Sequence, residues 1–198
     1  MLKINETIGL TKVCDIILND NSNTKDKVSS FWGIKWCDSV SKETLIDSTG
    51  RCYFIVVNGD IHKIGFSESK GGIKSTIGSY RSCGNSGSPS IRTYGIHILI
   101  TEELLKMNNV EVWVLFSPKS LIKCPLMDGS EIDVEISSGK TIEKSNVELF
   151  KLKNGRYPKW NMQEDNEKWS DYIVEGHNNL RIHKIPTTIK QIKNRLDI

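Results

Sequence analysis

The chain has 198 residues, of which 37% are hydrophobic and 26% charged, with 27 Lys+Arg against 24 Asp+Glu for a net charge of +3. That length suits one compact domain with extensions, and the composition is too apolar for a disordered chain. No apolar run approaches the ~20 residues needed to cross a bilayer. The opening Met1-Leu2-Lys3-Ile4-Asn5-Glu6 lacks a secretory signal, so the expectation is a cytoplasmic protein with no membrane partner.

The five cysteines, Cys14, Cys37, Cys52, Cys83 and Cys124, form no C-x-x-C pair, which argues against a zinc ribbon and a disulfide framework. In chain order, Ile8, Leu10, Val13, Ile16 and Ile17 fall near a helical period and predict a helix over 6–20. The polar run over 19–26 reads as a loop, and Phe31, Trp32 and Trp36 as a small buried cluster. Residues 53–57 are β-branched and aromatic, Asn58-Gly59-Asp60 is a hairpin turn signal, and 61–65 return as a second strand. A helix is predicted over 73–81, ending in the glycine-rich stretch 82–89, then a helix over 90–107 and a strand over 110–116. Two short strands flank Asp128-Gly129, a helix spans 138–153, and two more cover 164–174 and 187–196. This order gives an α/β (α+β) domain with a small, mainly antiparallel sheet flanked by helices. It divides into an N-terminal helical arm over 1–49, a core over 50–160 and a basic helical extension over 161–198. In that extension, Arg181, Lys184, Lys190, Lys193 and Arg195 face one acid, Asp197, from His177 onward.

Three motifs fail on their own chemistry. Ser138-Gly139-Lys140-Thr141 resembles the end of a phosphate-binding loop, but Val134 stands where that loop needs its first glycine. Asp128, Glu131, Asp133 and Glu135 lack the E-x-K triplet of a PD-(D/E)xK nuclease and read as a solvated strand face. His177-Asn178-Asn179 lacks the second histidine of an HNH metal site at a suitable spacing, and His183 reads as a surface residue.

A fourth constellation carries more. Tyr53 and Lys63 lie on opposite arms of the tight hairpin, and even spacing along the pleat lets both point to one face. Lys63-Ile64-Gly65 is followed by a polar loop and a helix bearing Ser79-Tyr80, then Cys83-Gly84. Further on come Leu104-Leu105-Lys106-Met107-Asn108, the strand 112–116, and Glu143 with Phe150 and Pro158 downstream. This ordered set, over about residues 50–160, resembles the GIY-YIG nucleases, most nearly the compact type II restriction endonucleases whose second half-motif reads K-I-G. Where that family carries an arginine, one helical turn before the Ser-Tyr tyrosine, this chain has Thr76, with Lys74 and Arg81 as possible stand-ins; Phe66 takes the place of a histidine.

The resemblance implies a site-specific endonuclease acting on double-stranded DNA. Tyr53 would be the general base, assisted by the neighbouring charge of Lys63, Tyr80 would donate to the scissile phosphate, and Glu143 would hold one Mg²⁺, or another divalent cation such as Mn²⁺. It also implies a homodimer matched to a two-fold target and a cognate DNA methyltransferase protecting host DNA. Lys74, Arg81, Asn85 and Arg92 are the DNA-binding candidates, the last three suited to reading base edges. A catalytically silent DNA-binding protein and a structure-specific repair nuclease are the alternative readings.

Overall fold

The computed structural model describes residues 3–19, 31–83, 88–117, 119–164 and 166–198. One end of its main sheet is the hairpin of β3 (Arg51–Val57) and β4 (Asp60–Ser67). Asn58 and Gly59 both take positive φ, 50° and 84°, the backbone of a turn whose twist matches that of its strands. All seven residues of β3 are buried because helices cover both of its faces.

The sheet has five strands in the order β2-β1-β5-β3-β4, all antiparallel, with β1 Thr11–Leu18, β2 Trp32–Trp36 and β5 Val110–Phe116. Here the structure corrects the sequence reading: residues 11–18 are a strand, not part of a helix, and together with β2 they belong to the central sheet rather than to a helical arm. A bulge between Lys12 and Cys14 breaks the pairing register with β5 and turns both Val13 and Cys14 into the core. That one extra residue replaces the two-residue alternation of a strand with core positions 13, 14 and 16, and the exposed apolar Ile17 completes a 13, 16, 17 spacing that imitates a helix. Phe31 and Trp32 are buried as expected.

The two faces of the sheet bury different partners. On one, Tyr53, Ile55 and Val57 meet Ile73, Ile77 and Tyr80 of α2 (Gly72–Ser82) and Tyr94, Ile98 and Leu104 of α3 (Ile91–Leu105). On the other, Cys52, Phe54, Val56, Ile61 and Ile64 pack against Val147 and Phe150 of α4 (Gly139–Asn154). The short helix α1 (Lys42–Ile46) lies beside α2. No helix among the described residues is long and apolar enough to cross a membrane.

The C-terminal residues fold onto α3. α5 (Asp171–Asn178) begins after the predicted start at 164, and α6 (Ile189–Leu196) has a Thr188 cap whose hydroxyl accepts from the Gln191 amide at 3.2 Å. Ile173, Leu180 and Ile192 are buried in the same core as the sheet, and Arg195 pairs with buried Glu102. The basic side chains of this region remain exposed. β6 (Lys119–Pro125) and β7 (Glu131–Ser137) form a separate two-stranded sheet. Two of its acids are neutralised on the surface, Glu135 by Lys119 at 2.8 Å and Glu131 by Lys123 at 3.6 Å.

Candidate active site

β4 is an edge strand, and the site forms where α2, α3, α4 and residues 158–164 converge on that edge. In the hairpin register, Tyr53 stands opposite Gly65 and Ile55 opposite Lys63; directly opposed residues share a face, so Tyr53 and Lys63 both point toward α2 and α3. Gly65 is required by space: a Cβ there would lie 2.4 Å from Cζ of Tyr53. The tyrosine ring therefore rests over Gly65, and its hydroxyl meets that of Tyr80, from the last turns of α2, at 2.6 Å.

The electrostatics follow from burial. Tyr53 is 4% exposed, and burial, followed by the neighbouring Tyr80, holds its phenol well above the ordinary 10. The Tyr80 phenol is raised for the same first reason. This corrects the expectation that Lys63 lowers Tyr53; the positive charge acting on both phenols is Arg92. Lys63 is itself 4% exposed, and its ammonium is pulled down to about 8, by burial first and then by Arg92. Glu143, in the second turn of α4, is partly buried; burial raises its carboxyl, Glu164 adds to the rise, and Lys63, Arg92 and the Phe66 amide oppose it.

Two adjoining clefts result. The first is lined by hydroxyls, Tyr53 and Tyr80 together with Ser67, Ser69, Thr76 and Ser79. Its loop is tied to the start of β3 by buried Arg51, whose Nε donates to the Thr49 carbonyl at 2.9 Å and whose Nη2 donates to that of Ser69 at 3.1 Å. The second cleft holds Lys63, Glu143, Asn161 and Glu164. Arg92 lines both.

Four of the residues named from sequence, Tyr53, Lys63, Tyr80 and Glu143, thus gather at one place, and Arg92 joins them. Lys74 and Arg81 are exposed on α2 and line neither cleft. Asn85 lies outside the described residues. Phe66 packs over the start of α4, where a Cβ on Gly139 would come 2.1 Å from its ring.

Sequence reasoning missed Asn161 and Glu164. Asn161 acts as a substitute strand for the edge of β4: its Oδ1 accepts from the Ile64 amide and its Nδ2 donates to the Ile64 carbonyl, both at 2.9 Å. Beside it, the Trp160 amide donates to the His62 carbonyl at 2.8 Å. These bonds satisfy the open edge at the middle of Lys63-Ile64-Gly65. The only local signal is an asparagine next to a tryptophan shortly after Pro158.

No family model and no curated protein matches the chain. Among solved structures, a mutant of bacteriophage T4 EndoII is 17% identical, with 81% of this chain and 99% of that chain covered and a TM-score of 0.52. The restriction endonuclease HPY188I in complex with product DNA is 22% identical, with 79% and 84% covered and a TM-score of 0.41. The chain has a mixed α+β architecture, and its likeness to EndoII is one of fold.

Proposed function

We propose that the protein is a divalent-metal-dependent DNA endonuclease of the GIY-YIG kind, acting site-specifically on double-stranded DNA. The observation that carries this reading is the convergence of the Tyr53–Tyr80 hydroxyl pair, the buried Lys63 ammonium and the Glu143 carboxylate at one strand edge. The fold shared with EndoII supports it.

Hydrolysis requires a water oxygen to bond to phosphorus as the P–O3′ bond breaks. Tyr53, as phenolate, takes the proton of the attacking water, and the 3′ oxygen leaves and is protonated from solvent. Since burial keeps the phenol protonated near neutrality, only its small ionised fraction acts, and positive charge at the site enlarges that fraction. Tyr80 donates its hydroxyl to a phosphoryl oxygen, and Lys63 places its charge beside the same phosphate.

Glu143 would hold the metal, with Glu164 on the wall of the same cleft. One or two carboxylates completed by water fit Mg²⁺ or Mn²⁺, and the described residues contain no group of three or more His, Cys, Asp or Glu of the kind zinc needs. Such a cation, when bound, supplies charge compensation to the phosphate and the leaving oxygen. A duplex presents two strands and the described residues one such centre, so the reading includes a homodimer on a two-fold target and a companion methyltransferase protecting host DNA.

The test is incubation of the protein with supercoiled plasmid and Mg²⁺, with and without chelator. Cleavage that requires the cation and is lost in both Tyr53→Phe and Glu143→Gln is the expected result. Wild-type rates in either variant refute the assignment, and untouched plasmid with a gel shift identifies a silent DNA-binding protein.

A further inference from the structure

As a phosphodiester is attacked, charge grows on two non-bridging oxygens lying side by side, and a planar, two-pronged donor compensates it better than a compact ammonium. Helix α2 does not provide that donor. Thr76, which faces the hydroxyl-lined cleft, has its Oγ1 within 2.7 Å of Ser67 Oγ and donates to the Gly72 carbonyl at 3.2 Å. The cations of that helix, Lys74 and Arg81, are exposed and line neither cleft.

Arg92 reaches the site from a different helix. It is the second residue of α3, whose start is fixed by Ser90: the hydroxyl accepts from the Thr93 amide at 3.2 Å. Its Nη2 donates to Oε1 of Gln163, which lines the second cleft. The guanidinium is thereby held between the Tyr53–Tyr80 pair on one side and Lys63 with Glu143 on the other, exposed enough to meet a substrate. Its charge bears on all four groups, lowering the proton affinity of both phenols, the carboxyl and the ammonium.

We propose that Arg92 clamps the scissile phosphate, supplying from α3 the bidentate charge that α2 lacks. This rests on the nuclease reading above. Gln163 pre-orients the guanidinium in the free protein, and phosphate oxygens take up its remaining donors as the substrate binds. The clamp adds no bond to the reaction already written; it stabilises the negative charge that accumulates while the P–O3′ bond breaks.

The test is plasmid nicking in Mg²⁺ with protein in saturating excess, beside a gel shift in chelator, for Arg92→Ala, Arg92→Lys and Tyr53→Phe. Arg92→Ala is expected to lose about 10²–10³-fold in rate, with DNA affinity weakened by less than about tenfold. Arg92→Lys restores part of the loss. Because Arg92 is exposed, its variants fold, and matching melting curves verify that. Two results overturn the clamp while leaving the nuclease intact: Arg92→Ala cutting at the wild-type rate while Tyr53→Phe is dead, or its defect vanishing at saturating protein. Wild-type cleavage by Tyr53→Phe, or no cleavage by the unmodified protein, removes the nuclease reading and the clamp with it.

Discussion

Lys63 is the residue whose replacement separates stability from activity. It is 4% exposed, and burial brings its ammonium from 10.5 to about 8. The native state therefore binds fewer protons than the unfolded chain between those values, so the cost of burying the charge is fully present below about pH 8 and is relieved as pH rises toward 10.5. At about 1.4 kcal/mol for each tenfold change in proton affinity, that cost is about 3 kcal/mol. Lys63→Met keeps the length of the side chain and removes the charge. It is expected to gain up to about 3 kcal/mol at neutral pH, less what Glu143 loses with its partner, or about 6–12 °C in Tm for a chain of this size. Nicking of plasmid DNA should fall at least about 100-fold at the same time. Urea unfolding of both proteins across neutral to alkaline pH measures the gain and its disappearance. A variant no more stable than wild type at neutral pH, or an advantage that does not shrink with rising pH, refutes the reasoning.

The remaining expectations concern the same strand edge. With the Tyr53 phenol held above 10 and Lys63 losing its proton near 8, single-turnover cleavage should rise about tenfold per pH unit up to about pH 8 and level off beyond it; a flat profile below that point would remove Tyr53 as the base. Gly65→Ala places a methyl group 2.4 Å from the Tyr53 ring, so the ring must shift: stability should fall by about 1–3 kcal/mol and cleavage should be lost, whereas an active variant with an unchanged Tm contradicts the packing. Asn161→Ala leaves the amide and carbonyl of Ile64 without their side-chain partners. Denaturant unfolding should show a loss of about 1–3 kcal/mol, and hydrogen exchange should quicken at Ile64; unchanged protection there would show that the edge is covered in another way.

The sequence alone determined the elements whose instructions are local. Asn58-Gly59 requires a left-handed turn, residues 53–57 are a dense β-branched and aromatic run, and Ser90 caps α3 three residues before the amide it serves. The pairing of Tyr53 with Lys63 on one face was also legible, because a hairpin of fixed length sets its own register. β1 was misread because its bulge is made by pairing with β5, nearly a hundred residues away, and a short window cannot register that partner. Tertiary structure alone decided that Arg92 rather than Lys74 or Arg81 reaches the site, that Asn161 covers Ile64 across 97 residues, and that Tyr53 is raised rather than lowered. Proximity across the fold and loss of water depend on what the whole chain packs around a group, and no residue carries that information in its neighbours along the chain.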